Sequence, residues 1–208
     1  LTGAVRSTVN FEPARGNIND WGDNYGNRVD RFLAGTAYLD GQRPSLIMGR
    51  GYYARSAIAA YDFRNGQLTL RWKFDSRNSG NQWTGRGAHS LSIADVDGNG
   101  TDEVVYGGMT INANGTGRYA NQPHGDALHV SDFVPSRAGK EIWMIHESGG
   151  TAASLRDANT GSTIFTKANN TGDEGPARGV AADIHSGSTG GEFWGTGVGL
   201  GSLFNSSG

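Results

Sequence analysis

At 208 residues, with 36% hydrophobic and 10% aromatic residues, the chain is long enough to bury a real core and too apolar to be disordered. A formal net charge of −2 without a long basic run leaves no electrostatic footprint for nucleic acid and no polybasic membrane patch. The absence of cysteine removes disulfides and thiolate metal sites, and 34 glycines against five prolines, without a collagen period, point to short strands joined by tight turns.

No apolar run is long enough for a membrane span, and Leu1 does not open a charged-then-apolar leader, so the chain reads as cytosolic or already processed. A secreted protein without cysteines can use calcium ions as its cross-links instead. Trp21 and Tyr25, ahead of the first recognisable repeat, and Tyr52, Tyr53 and Trp83, beyond its first cassette, lie among Asn, Asp and Arg. They suit either a carbohydrate platform or packing between structural units. The first cassette is Ala37-Tyr38-Leu39-Asp40-Gly41 leading into Leu46-Ile47-Met48, a strand, a polar turn and a strand. A hairpin follows: Ala57 to Ala60, Tyr61-Asp62, the turn Asn65-Gly66, then Leu68 to Trp72.

The second cassette is the richest. Asp95-Val96-Asp97-Gly98-Asn99-Gly100-Thr101-Asp102-Glu103 places oxygens at alternate positions around two glycines and runs into Val104-Val105-Tyr106. Asp95, Asp97 and Asn99 can turn inward together because the glycines free the backbone, while the Thr101 carbonyl and Glu103 close the shell. This predicts a calcium loop of a β-protein, since Tyr106 stands where an EF-hand needs its bidentate Glu. The plainer reading is a surface Asx/Gly turn. Ser131-Asp132-Phe133 through Gly139-Lys140-Glu141 into Ile142 to Ile145 is a third cassette, and Ala182-Asp183-Ile184 through Gly190-Gly191-Glu192 into Phe193-Trp194 a fourth. The pairs Asp132 with Glu141 and Asp183 with Glu192 suit looser calcium binding, whereas the Asp40 loop lacks the oxygens. The hairpin recurs as Ala152 to Leu155, Arg156-Asp157, Thr160-Gly161 and Thr163 to Phe165.

Two hairpins per unit, recurring at about 40 to 55 residues, match a four-stranded propeller blade. The expectation is an all-β protein, a β-propeller with about four blades represented in one partial domain over residues 1–208 and no internal boundary. A β-helix or a sandwich is the alternative. Leu200 to Asn205 reads as the start of a further hairpin cut off at Gly208, which points to part of a larger catalytic domain.

Between the cassettes lie residues suited to chemistry. His124-Gly125-Asp126 puts two potential ligands on one side of an extended segment. His89 precedes the strand from Leu91, and His146-Glu147 ends the strand from Ile142, so the rims of neighbouring repeats converge if the blades stack radially. Imidazoles and carboxylates of this kind suit zinc, manganese or iron as readily as calcium, or a histidine merely oriented by a carboxylate. Arg178, in Gly175-Pro176-Ala177-Arg178-Gly179, suits an anionic ligand in a cleft or a rim ion pair with Asp173 or Glu174. No Gly-x-Ser-x-Gly elbow, phosphate-binding loop or dinucleotide fingerprint is present, which argues against an esterase, kinase or dehydrogenase.

The blocks Tyr25 to Gly35, Arg50-Gly51-Tyr52-Tyr53, Asp95 to Glu103, His124 to His129, Leu155 to Gly161 and Arg178 to Asp183 resemble, in order, those of the rhamnogalacturonan lyases of polysaccharide lyase family 11. The resemblance implies an eight-bladed propeller with several calcium ions that cleaves the rhamnogalacturonan I backbone of pectin by β-elimination at galacturonate. It further implies that His89, His124, Asp126 and Glu147 are active-cleft calcium ligands and that Arg178 is a catalytic arginine beside the uronate. A family lysine that follows later in sequence has no counterpart before Gly208. A secreted, monomeric protein with a pectic polysaccharide as its partner is expected. The competing readings are a non-catalytic carbohydrate-binding or adhesion propeller with structural calcium, and an integrin-like propeller for protein contact.

Overall fold

The computed structural model describes residues 2–22, 24–147, 149–169, 178–197 and 200–207. Its described elements are almost entirely strands. Four strands, β1 (Phe32–Ala37), β2 (Ser45–Arg50), β3 (Ala57–Arg64) and β4 (Gln67–Asp75), pair in sequence order into one antiparallel sheet. A second sheet repeats the plan with β5 (Ser92–Ala94), β6 (Glu103–Tyr106), β7 (Met109–Ile111) and β8 (Gly117–Ala120). A third comprises β9 (Gly125–Ser131), β10 (Glu141–His146), β11 (Thr151–Asp157) and β12 (Thr163–Ala168). The last pairs β13 (Gly179–Ala182) with β14 (Glu192–Gly195), and Phe204 adds an antiparallel bridge to Phe193. The residues read as opening a further hairpin therefore join the fourth sheet.

Local chemistry explains the repeat. Asn65 and Gly66 both take positive φ, 50° and 78°, and close the β3–β4 hairpin with Arg64 opposite Gln67, as a two-residue left-handed turn requires. Each of the four Asp-bearing cassettes links the first strand of its sheet to the second. In three of them a glutamate opens the second strand and reaches back over its own loop. Glu103 Oε2 accepts from Val96 N at 3.1 Å, Glu141 Oε2 from Phe133 N and Val134 N at 2.9 and 3.0 Å, and Glu192 Oε2 from Ile184 N and His185 N at 3.0 and 2.9 Å. The Ser188 hydroxyl also donates to Glu192. The first sheet has Ser45 at this place, and its hydroxyl donates instead to Asp62 across the strands.

Glu103 and Glu141 are 1% exposed, and burial raises both carboxyls above their ordinary value. Because two buried N–H groups depend on it, Glu141→Ala should cost about 2–4 kcal/mol of stability, with Glu141→Gln, which keeps a carbonyl acceptor, costing much less. Urea denaturation of the two variants checks this.

The sheets stack face to face, so strands in the middle bury both faces and lose simple polar/apolar alternation. Val104 and Tyr106 pack with Ile47 and Ile58, while Val105 between them packs with Leu128 and Ile142. Ile142 and Met144 of β10 face that same layer, and Trp143 and Ile145 face the next one, with Leu155 and Phe193. Among the described residues no further sheet covers the outer side of the first; instead Trp21 packs on Ala57, and Ser7 and Glu12 bond to Leu68, Tyr61 and Lys73, while the edge strand β4 reads mostly exposed. First strands adjoin one another: β1 packs on β5, β5 on β9, and β9 on β13. The chain segments entering first strands and leaving second strands are thereby gathered on one rim.

Candidate active site

That rim carries the candidate chemistry. Arg31 directly precedes β1, His124 precedes β9, Arg178 precedes β13, and His89 lies three residues before β5. Glu147 follows β10. A parallel bridge between Ala88 and Gly125 ties the second sheet to the third and sets His89 beside His124 and Asp126. Gly125 in turn opposes His146 across a register shift in β9–β10, which brings Glu147 to the same place.

His89, His124, Asp126 and Glu147, though drawn from three separate stretches of sequence, form one cluster. His89 Nε2 lies 3.3 Å and His124 Nε2 3.7 Å from Asp126 Oδ1, and His124 Nε2 lies 2.9 Å from Glu147 Oε2. His124 and Asp126 are 9% and 8% exposed. Arg178 reaches Asp126 Oδ2 at 3.4 Å from the solvent side. The alternative partners Asp173 and Glu174 fall outside the described residues, as do Gly175 to Ala177.

Surrounding groups fix the ligands. The Gly87 carbonyl, which can only accept, takes the His124 Nδ1 proton at 2.7 Å, so the Nε2 lone pair points into the cluster. A lone pair and a carboxylate oxygen 2.9 Å apart repel each other unless a proton or a metal cation lies between or beside them. Nε2 of His89 and of His124 are both buried with no hydrogen-bond partner. These two nitrogens and an Asp126 oxygen lie within 4.8 Å of one another, the separations of neighbours in one coordination shell, and fit a divalent cation, with Glu147 adjoining through His124. The Tyr53 hydroxyl donates to Glu147 Oε1 at 2.9 Å, and burial with that neighbouring carboxylate pushes its phenol well above the usual range. Tyr52 and Tyr53 rings lie 5.7 and 4.4 Å from the His124 ring, the first nearly parallel to it.

Of the aromatics considered for a sugar platform, Tyr52 and Tyr53 instead wall the histidines. Trp83 is buried against Phe74, and Trp21 is buried beneath the Arg50 and Arg55 guanidiniums. Tyr25 is exposed.

Gly87 makes the cluster depend on packing. A Cβ there would stand 2.6 Å from Tyr52 Cα and 2.8 Å from its carbonyl oxygen. Gly87→Ala should therefore cost about 1–3 kcal/mol through overpacking and weaken cation binding by displacing the carbonyl that orients His124. Thermal unfolding and calcium titration together check both halves.

The Asp95 loop forms a second convergence. Carboxylate oxygens of Asp95, Asp97 and Glu103 lie within 4.8 Å of one another. Asp95 accepts from the backbone of Gly98, Asn99 and Gly100, which outweighs partial burial and holds its carboxyl below the ordinary value. Asn99 Oδ1 takes the Thr101 N–H and hydroxyl, and Asp97 Oδ2 takes Arg118 at 3.0 Å. The all-oxygen set suits a hard cation, which would have to replace some of these internal bonds. Asp132 and Asp183 are exposed, and the buried Glu141 and Glu192 of their cassettes are engaged with loop backbone. Asp40 accepts from the backbone of Gln42 and Arg43 and pairs with the Arg43 side chain.

Sequence reading missed Gly87, Tyr53 as a hydrogen-bond donor, and Arg31. The signal for Arg31 was its place: it stands immediately before the first strand of its repeat, as Arg178 does in the fourth.

The protein is 53% identical over 198 residues to the rhamnogalacturonan exolyase YesX of Bacillus subtilis and 52% identical over 200 residues to the endolyase YesW of the same organism. These alignments cover 93% and 94% of the chain and 32% of each relative, so the chain spans about a third of their length. The solved structure of a Bacillus licheniformis rhamnogalacturonan lyase superposes over 100% of this chain and 35% of its own, at 51% identity and a TM-score of 0.91. The model for the C-terminal domain of rhamnogalacturonan lyase family 11 matches residues 1–208, and the chain belongs to that family.

Proposed function

We propose that this chain supplies the cation-binding part of a calcium-dependent lyase that cleaves the rhamnogalacturonan I backbone of pectin by β-elimination at galacturonate. The observation that carries the reading is the pair of orphaned imidazole nitrogens facing two carboxylates beside an arginine, on the rim where successive sheets converge. Adjoining first strands of three consecutive four-stranded sheets and a fourth, two-stranded one support a β-propeller, and an eight-bladed ring in the complete enzyme is part of the proposal.

The C5 proton of galacturonate is α to a carboxylate whose negative charge opposes carbanion formation. A bound calcium ion neutralises that charge and lowers the barrier to proton removal. His89, His124, Asp126 and Glu147 would hold it. Gly87 and Tyr53 keep two of those ligands aimed, so little reorganisation accompanies the reaction. Arg178, 63% exposed at its side chain, projects beside Asp126 where a second positive charge meets the uronate as its α-carbon gains charge. As C5 loses its proton to a base, the C4–O bond breaks and a 4,5-unsaturated uronate remains. An exo- and an endo-acting relative match this segment equally well, which supports its carrying the shared bond-breaking chemistry rather than the choice of chain end. The Asp95 loop is proposed as a structural calcium site, and an extracellular location follows from a polymeric plant substrate.

Incubating the natural full-length protein with rhamnogalacturonan I should raise ultraviolet absorbance from the unsaturated product, with chelator abolishing and calcium restoring the rise. New reducing ends without a double bond would refute elimination.

A further inference from the structure

The two histidines of the cluster are held in opposite tautomers. His124 gives its Nδ1 proton to Gly87 and presents a lone pair at Nε2. At His89 the neighbour is Arg31, whose NH1 stands 3.0 Å from Nδ1. A guanidinium can only donate, so His89 Nδ1 must accept and its Nε2 carries the hydrogen. In that tautomer Nε2 carries N–H, not a lone pair, 3.3 Å from Asp126 Oδ1 but without a hydrogen bond to it. For His89 to join a cation shell through Nε2, the proton must move to Nδ1. That leaves N–H facing N–H at the Arg31 contact, with no net proton gained or lost.

Resting on the lyase reading above, we propose that Arg31 is a positioning residue that holds His89 in its non-ligating tautomer, and that cation binding releases it to anchor a carboxylate of the substrate. Arg31 is exposed, lies 5.6 Å from the Tyr52 ring centroid, and with Leu33, Tyr52, Ala88, His89 and Tyr106 lines a cavity of about 170 Å³. The cavity opens beside the cluster, so the displaced guanidinium has an aromatic face to slide on and a space fit for part of an acidic sugar. Contact with His89 and ligation by His89 exclude each other, so the arginine becomes available only when the cation is in place.

The test uses the natural full-length protein labelled with nitrogen-15 in its histidines, titrated with calcium chloride and read at the His89 ring nitrogens. Calcium bound at the Asp95 loop then does not count. His89→Ala assigns the signal. Without calcium, His89 should show protonated Nε2, and calcium should convert it to protonated Nδ1. Arg31→Met should release the tautomer beforehand and tighten the calcium half-point at His89 about five- to tenfold, since one hydrogen bond no longer opposes binding. Arg31→Lys keeps a donor and should return the half-point toward its original value. On rhamnogalacturonan I at saturating calcium, Arg31→Met should raise KM with kcat little changed.

Protonated Nδ1 in the calcium-free protein, or an unchanged half-point in Arg31→Met, overturns the tautomer control while leaving the lyase reading intact. An unchanged KM overturns the anchoring step. No response of His89 to calcium in any variant overturns both the inference and the cation site it rests on.

Discussion

Replacing His124 with alanine in the natural full-length protein should lower kcat/KM on rhamnogalacturonan I roughly a thousandfold at fixed calcium, because several kcal/mol of charge stabilisation depend on the cation being held. His124 is the expected point of greatest sensitivity. Its Nε2 lies 3.7 Å from an Asp126 oxygen and 2.9 Å from a Glu147 oxygen, while its Nδ1 is anchored to Gly87 and its ring lies 4.4 Å from that of Tyr53. Removing the imidazole leaves two carboxylates converging without their nitrogen partner. The protein should remain folded, since the residue sits on a rim rather than between sheets, and raised calcium should recover part of the rate. Arg178→Ala should also lower kcat, but with calcium binding retained or tightened, since its guanidinium competes for Asp126 Oδ2. Steady-state rates across a calcium series separate the two variants. An unaltered rate in the His124→Ala variant would eliminate the cluster as the cation site.

Trp143→Ala should be the most destabilising single core substitution, costing about 3–5 kcal/mol. Trp143 is fully buried where the third sheet meets the fourth, with ring centroids of Phe193, Phe204 and Phe165 at 5.1, 5.5 and 6.1 Å. The cavity left behind would be walled by strands already pinned through their backbones, so it could collapse only partly. Its indole N–H has no hydrogen-bond partner, so the loss is one of packing rather than polarity. Trp143→Phe should therefore cost only about 1–2 kcal/mol, the volume lost being smaller and no bond being broken. Equilibrium urea unfolding measures both. Equal costs for the two variants would show that the site collapses freely.

The repeated units were legible because turn chemistry is local. Asn65-Gly66 announces a left-handed two-residue turn wherever it stands, and each Asp-Gly cassette fell between a first and a second strand. The separation of sheets was less visible, because β6 and β10 are buried on both faces and read as continuous apolar runs. The cluster itself was half legible. His124 and Asp126 share a side of one strand start, which spacing alone reveals. Bringing His89 and Glu147 to them depends on the Ala88–Gly125 bridge and on the register shift beside His146, both of them long-range pairings without a local signature. Gly87 and Arg31 act through a backbone carbonyl and a tautomer, neither of which is written in residue type. Glu103, Glu141 and Glu192 were read as calcium oxygens, and in the folded chain they have a further occupation as acceptors for loop backbone.

That Ala88–Gly125 bridge joins the segment leading into the second sheet to the first strand of the third, and His89, His124 and Asp126 lie immediately beside it. His89 rides with one sheet and His124, Asp126 and Glu147 with the next. The spacing of the cluster is therefore a reading of the angle between two neighbouring sheets, like a gauge mounted across a joint. A cation gripping both sides would act as a rivet at that joint, and any event that tilts one sheet against the other, near or far from the rim, would be felt first as a change in its grip.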